Sequence, residues 1–297
     1  MIRSEYPLST PDPAETGLEQ APDGKMWLDG RLRPELEAAG LAGFDAVMTT
    51  SEGQCLRVLA DRENWRLELR RAREPARGAF LKRHRVRTWR SRLRAKLGVG
   101  PGETAGRVEA RNIRRLAADG IACMRLVAYG EDLRPDGHLE SFVLTDELEG
   151  YEPLDAFLRR RFPALDSGRR TARDGDLDQL IRAVAAAARK FHRAGYNHRD
   201  LYCCHFFVRE PAKGRFHVRL IDLQRVERRR RFRRRWLVKD LAQLAYSAPR
   251  DRITPRHRLA FMRHYLGVGR LRPSDKRLIR AVVAKQRRIE RREGLAG

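Results

Sequence analysis

The stretch His192-Arg-Ala-Gly-Tyr-Asn-His198-Arg199-Asp200-Leu-Tyr-Cys-Cys-His205-Phe-Phe-Val208 carries more structural information than any other in the chain. Before it, Leu177, Leu180, Ile181, Val184, Ala188 and Phe191 recur at helical spacing, which predicts a helix that stops at Gly195. After it, Phe206-Phe-Val208 and Phe216-His-Val-Arg-Leu-Ile221 flank Pro211-Ala-Lys-Gly214, the pattern of a β-hairpin inside a helical region. Asp200 thus precedes the hairpin and Asp222 follows it, so backbone rather than side-chain reach fixes their separation.

Outward from this segment, Leu237–Tyr246 and Leu278–Ile289 read as further helices. The polar run Asp146-Glu-Leu-Glu-Gly-Tyr-Glu-Pro153 reads as a hinge. Ahead of it, Phe44 to Lys82 reads as an antiparallel meander, with strands at Cys55-Leu-Arg-Val-Leu59, Trp65-Arg-Leu-Glu-Leu69 and Ala79-Phe-Leu-Lys82. Val86 to Leu97 reads as a helix on the spacing of Val86, Trp89, Leu93 and Leu97, and Thr104 to Asp119 as another. Met124–Tyr129 and Ser141–Thr145 read as two more strands. The expected organisation is a flexible tail over 1–25, a small strand-rich lobe over 26–148 and a helical lobe over 149–297.

Of the 297 residues, 64 are Lys or Arg against 39 Asp or Glu, a net charge of +25, and 41% are hydrophobic. That apolar share supports a core and excludes wholesale disorder. The basic excess predicts an anionic partner: phosphates, acidic lipid headgroups, nucleic acid or an acidic protein. The four cysteines form no C-x-x-C pair, so neither a disulfide framework nor a zinc site is expected. No apolar run reaches the ~18–20 residues of a membrane span, and the N-terminus lacks a signal-peptide core. The expectation is a cytoplasmic protein that can lie on a membrane surface.

The order of residues around Asp200 and Asp222 is similar to the H-R-D-x-x-x-x-N and D-F-G arrangement of protein kinases, where one Asp faces the attacking hydroxyl and a second holds Mg²⁺ on the phosphates. The closer resemblance is to the lipopolysaccharide core kinases, the heptose and Kdo kinase group with a protein-kinase-like fold. It is carried by Ala194-Gly-Tyr-Asn-His-Arg-Asp-Leu-Tyr-Cys-Cys-His-Phe-Phe207, by Ile221-Asp-Leu-Gln-Arg225 and by Arg234-Arg-Trp-Leu-Val-Lys-Asp-Leu241. It implies an α+β bilobal protein-kinase-like fold, with a small antiparallel-sheet N-lobe and a larger helical C-lobe, and a requirement for ATP and Mg²⁺.

Carried over residue by residue, the resemblance implies that Asp200 orients a sugar hydroxyl and accepts its proton, with His198 and Arg199 in the same catalytic loop. Asp222 would hold Mg²⁺, with His205 where protein kinases place a metal-binding Asn. A neutral imidazole is a poorer Mg²⁺ ligand than an amide oxygen, so His205 bonding a phosphate or fixing the loop is the alternative. Lys82 would reach the ATP phosphates and pair with Glu109, and the hinge at Asp146, Glu147 and Leu148 would bond adenine through its backbone. Thr49-Thr-Ser-Glu-Gly-Gln-Cys55 is the candidate phosphate-covering loop, although it holds a single Gly. Asp240 would accept hydrogen bonds from the catalytic-loop backbone.

Arg225, Arg228, Arg229, Arg230, Arg231 and Arg233 make an Arg-rich segment next to these residues, suited to a phosphorylated glycolipid because guanidinium pairs bidentately with phosphate and carboxylate. The expected partners are the lipopolysaccharide core and lipid A glycolipid and the anionic inner leaflet; an acidic protein such as acyl carrier protein is conceivable on charge alone. Lys82 to Lys96, with Trp89, could lie in the leaflet plane or pack on the small lobe. A kinase for proteins or another small hydroxyl compound is the alternative function. A nucleic-acid-binding protein would leave Asp200 and Asp222 without a role and shows no RNP, KH or zinc-finger pattern.

Overall fold

The computed structural model describes residues 17–70, 75–164, 174–229 and 233–294. These divide into two compact units: one runs to Ala118 and takes in Met124–Glu149, the other comprises Asp119–Cys123 and the chain from Gly150 onward. Among the described residues no helix is long and apolar enough to cross a membrane.

The first unit is built on a seven-stranded sheet. Its strands are β1 (Glu19–Gln20), β2 (Met26–Leu28), β3 (Gln54–Leu59), β4 (Arg62–Leu69), β5 (Arg77–Arg87), β6 (Leu126–Leu133) and β7 (His138–Asp146). They lie in the order β1-β2-β6-β7-β5-β4-β3, every neighbour antiparallel. The helices are α1 (Arg33–Ala38), α2 (Phe44–Thr49), α3 (Trp89–Lys96) and α4 (Ala105–Ala118). β5 shows how the sheet is used. Ala79 and Leu81 point into a core with Leu36, Phe44, Val47 and Met48, whereas Lys82, one residue on, points to the opposite face. On that face α4 lies so close to β7 that a Cβ on Gly106 would sit 2.5 Å from the carbonyl oxygen of Phe142.

Three sequence expectations change here. Phe44 begins a helix rather than a meander, because only a helix turns Phe44, Val47 and Met48 to one side; burying each is worth about 1.5–3 kcal/mol. Arg83 then anchors that helix end, donating from Nε to the carbonyl of Val47 at 2.9 Å. Val86 belongs to β5, opposite Leu139, and the helix starts after Thr88, whose side chain accepts from the Ser91 amide. Finally, part of the stretch read as a tail is folded: Glu19 and Gln20 pair with β2 and Ala21 is buried, while residues 1–16 lie outside the described residues.

The second unit contains β8 (Glu152–Pro153), α5 (Leu154–Arg161), α6 (Asp174–Arg193), β9 (Tyr196–Asn197), β10 (Phe206–Ala212), β11 (Arg215–Leu220), β12 (Glu227–Arg228), α7 (Arg233–Ser247), α8 (Pro255–Leu266) and α9 (Pro273–Arg292). Leu180, Val184, Ala188 and Phe191 form the buried stripe of α6 that their spacing predicts. β10 and β11 are the predicted hairpin, with a difference at the turn. The strand runs on through Pro211 to Ala212, the ladder shifting register between Arg209 and Ala212, since a bulge is where a strand tolerates a residue without an N–H. α8 was not legible as a separate helix; Thr254 caps it and Pro255 opens it. A small antiparallel-sheet unit followed by a mainly helical one is the expected α+β division.

Candidate active site

The catalytic-loop segment is held by one buried carboxylate. Asp240 on α7 is fully buried and accepts from the backbone N–H of His198 at 2.7 Å and of Arg199 at 2.8 Å. His192 completes the set: its Nε2 lies 3.2 Å from Asp240, and since a carboxylate only accepts, Nε2 carries the proton and Nδ1 accepts from the Tyr265 hydroxyl at 2.9 Å. This clamp holds Arg199 at φ +72°, a left-handed conformation that costs a non-glycine residue roughly 1–2 kcal/mol. Among the described residues Asp222 is the other left-handed residue that is not glycine, at φ +56°. Strained backbone therefore sits next to Asp200 and at Asp222 itself.

Two histidines tie those points together. His198 donates from Nε2 to the carbonyl of Ile221 at 3.0 Å, joining the Asp200 loop to the residue before Asp222. Burial pushes its pKa down to about 4, so it is neutral and cannot act as a proton carrier near neutral pH. Its ring stacks on His205 with centroids 5.5 Å apart. The His205 Nδ1 donates to the Asp200 carbonyl at 2.6 Å, which turns Nε2 toward Asp222, 3.7 Å from Oδ2. In the neutral ring that Nε2 is a lone-pair donor next to a carboxylate oxygen.

The Asp200 carboxylate is flanked by cations. Arg225 donates to Oδ2 at 2.7 Å, and the Lys239 ammonium lies 3.9 Å from Oδ1 while donating to the Arg199 carbonyl. Lys239 carries no assignment from sequence; its place immediately before Asp240 was the available signal. Burial lowers its pKa from the ordinary lysine value.

In the first unit, Lys82 reaches Glu109 on α4 at 2.8 Å, and Glu109 is fully buried. Lys82→Met would leave that carboxylate in the interior without its cation. A loss of about 3 kcal/mol in denaturant unfolding is expected, with most of it recovered when Glu109→Leu is added. Glu147 uses its side chain on Arg66 at 2.8 Å and its N–H on the Gly78 carbonyl, and Asp146 lies 3.6 Å from Arg77, so any adenine contact from this stretch must use remaining backbone groups. The single glycine of 49–55 has a packing explanation: Gly53 has φ +113°, and a Cβ there would sit 2.4 Å from the Arg66 carbonyl oxygen. The turn between β3 and β4, one strand ahead of the strand that carries Lys82, is Ala60-Asp61.

The Arg-rich segment is largely occupied. Arg228 lies over Tyr196, Arg229 pairs with Glu227, and Arg233 donates to the His192 carbonyl; Arg230 and Arg231 lie outside the described residues. Arg199 pairs with Glu227 at 2.5 Å and lies over Trp236.

Among the described residues no group of three or more His, Cys, Asp and Glu side chains could hold a metal ion by itself. Asp222 offers one carboxylate, which suits Mg²⁺, an ion that takes one or two protein carboxylates and completes its shell with phosphate oxygens and water; the His205 Nε2 beside it is a weaker ligand for this ion.

A loop Asp on backbone that a buried carboxylate holds at the two preceding residues, a second Asp across a hairpin, and a strand lysine paired to a helix glutamate together define a protein-kinase-like phosphotransferase. Residues 48–265 match the sequence profile of the Lipopolysaccharide kinase (Kdo/WaaP) family, and the chain belongs to that family. The lipopolysaccharide core heptose(I) kinase WaaP of Pseudomonas aeruginosa is 36% identical over 231 residues, covering 75% of this chain and 80% of that protein. The enzyme of the same name from Escherichia coli is 29% identical over 245 residues, covering 81% and 88%. A solved structure described as WaaP in complex with acyl carrier protein matches with a TM-score of 0.64 at 31% identity, covering 92% of this chain and all of that one.

Proposed function

We propose that this chain transfers the γ-phosphoryl group of ATP, with Mg²⁺, to a heptose hydroxyl of the lipopolysaccharide inner core. The observation that carries the reading is the linked Asp200 loop and Asp222, joined through His198 and His205. Heptose is favoured over Kdo by the names of the relatives. Asp200 would position the acceptor hydroxyl and take its proton, and Arg225 and Lys239 would hold that carboxylate in place. Asp222 and His205 would hold Mg²⁺, which supplies charge neutralisation on the phosphates when bound. Lys82, fixed by Glu109, would meet the ATP phosphates, and backbone groups near Leu148 would meet adenine.

The setting of the reaction is part of this proposal. Trp89 and Leu93 of α3 and Leu97 at its C-cap are 68%, 48% and 66% exposed, while the Ser91 hydroxyl donates to the Gly137 carbonyl at 2.7 Å. An outward apolar stripe among Arg90, Arg94 and Lys96 suits an anionic leaflet and supports work at the cytoplasmic membrane face. An acyl carrier protein partner is supported by the matching complex, by the +25 charge and by an apolar cavity of about 390 Å³ in the second unit, lined by Leu180, Val184, Leu244 and Val282 among others, with room for an aliphatic chain.

The test is transfer of labelled γ-phosphate to core lipopolysaccharide lacking the heptose phosphate, with the acceptor in anionic vesicles or detergent and acyl carrier protein present or absent. Acceptor-dependent labelling supports the reading, and label loss in vesicles but not detergent for Trp89→Glu supports the membrane part. Absence of labelling in every arm would sink it.

A further inference from the structure

The second unit holds a basic cavity of about 750 Å³ between the first turns of α7 and the C-terminal half of α9. Arg199, Arg234, Arg235, Lys239, Lys285 and Arg288 line it, around the indole of Trp236. The ring gathers cations: Arg199, Arg229, Arg235 and Lys239 all lie 4.8–5.8 Å from its centroid. Compensation is incomplete. Arg199 pairs with Glu227, and Lys239 lies near Asp200, but no carboxylate among the described residues pairs with Arg234, Arg235, Lys285 or Arg288. Four cations facing one concavity without counter-charge repel each other, and an anion placed there relieves that repulsion while meeting donors already in position.

The cavity adjoins the catalytic loop. Arg199 is the residue before Asp200, and the Lys239 ammonium contacts the Arg199 carbonyl and approaches the Asp200 carboxylate. An anion bound here would stand next to Asp200, the group that receives the acceptor hydroxyl in the reading above, and neither Asp222 nor His205 lines this cavity.

We propose that this cavity is the anion subsite for the acceptor: a phosphate or carboxylate of the glycolipid docks on Arg234, Arg235, Lys285 and Arg288 and thereby sets which hydroxyl meets Asp200. The inference rests on the kinase reading and deepens it. It also extends the site past the residues matched by the family profile, because Lys285 and Arg288 lie beyond residue 265.

The test is equilibrium binding of fluorescent core glycolipid without ATP to wild type, to Lys285→Ala/Arg288→Ala and to Arg277→Ala/Arg280→Ala, a control removing equal charge from exposed positions of the same helix. The cavity pair should weaken binding at least ~30-fold, the scale for losing two charge-assisted contacts, and the control pair less than about threefold. Dephosphorylated and carboxyl-reduced glycolipids separate the two sources: the group that docks here is the one whose removal weakens wild type and erases the difference between wild type and cavity variant. Equal binding by the cavity and control pairs would overturn the inference, as would a loss of acyl carrier protein binding with glycolipid binding intact. Wild type that binds glycolipid but never phosphorylates it would fault the kinase reading instead.

Discussion

Asp200→Asn is expected to slow phosphoryl transfer to the core acceptor by at least ~100-fold while leaving nucleotide affinity within about twofold. The substitution keeps the size of the side chain, and its amide oxygen still accepts from Arg225, which meets Asp200 at 2.7 Å. What is lost is the capacity to take a proton and the charge that faces Lys239. Because phosphoryl transfer is loose, the main penalty falls on positioning of the hydroxyl, so the effect should appear in kcat more than in the KM for ATP. Acceptor phosphorylation at the wild-type rate would remove Asp200 from the mechanism.

Asp240→Ala should be the most damaging substitution for the fold of the second unit. Asp240 accepts from two backbone N–H groups and from His192 in a site without solvent. Alanine leaves those donors unsatisfied, at about 1–3 kcal/mol each, and releases the backbone N–H of the left-handed Arg199 from its acceptor. A total near 4 kcal/mol corresponds to a fall in Tm on the order of 10 °C, with transfer lost even below the new midpoint because Asp200 follows the released residue. Differential scanning calorimetry and transfer at low temperature read the two effects separately. A wild-type Tm would show that the loop has other support.

The segment from His192 to Asp222 was legible because its geometry is local. A helix stop, a loop and a hairpin leave little freedom over where Asp200 and Asp222 fall, whereas the role of Asp240 came through the resemblance. The Lys82 and Glu109 pair was legible through the resemblance, since strand and helix positions alone do not say which lysine meets which glutamate. The segment Phe44–Thr49 was misread because Phe44, Val47 and Met48 suit a short helix or a strand until tertiary burial decides. The arginines were the least legible part. Sequence shows a run of guanidinium groups, but whether each meets a carboxylate, a ring, a carbonyl or open cavity depends on folding; Arg225 turned out to face Asp200, and Arg234 and Arg235 rather than Arg228 and Arg229 line the basic cavity.

Phosphorus NMR of isolated core oligosaccharide, after incubation with the protein, Mg²⁺ and ATP, tests the central claim most directly. A new phosphomonoester resonance coupled to a heptose ring proton, absent when Asp200→Asn replaces wild type, is the predicted result. ATP consumption with no phosphorus signal on the saccharide, or the same signal from both proteins, would contradict it.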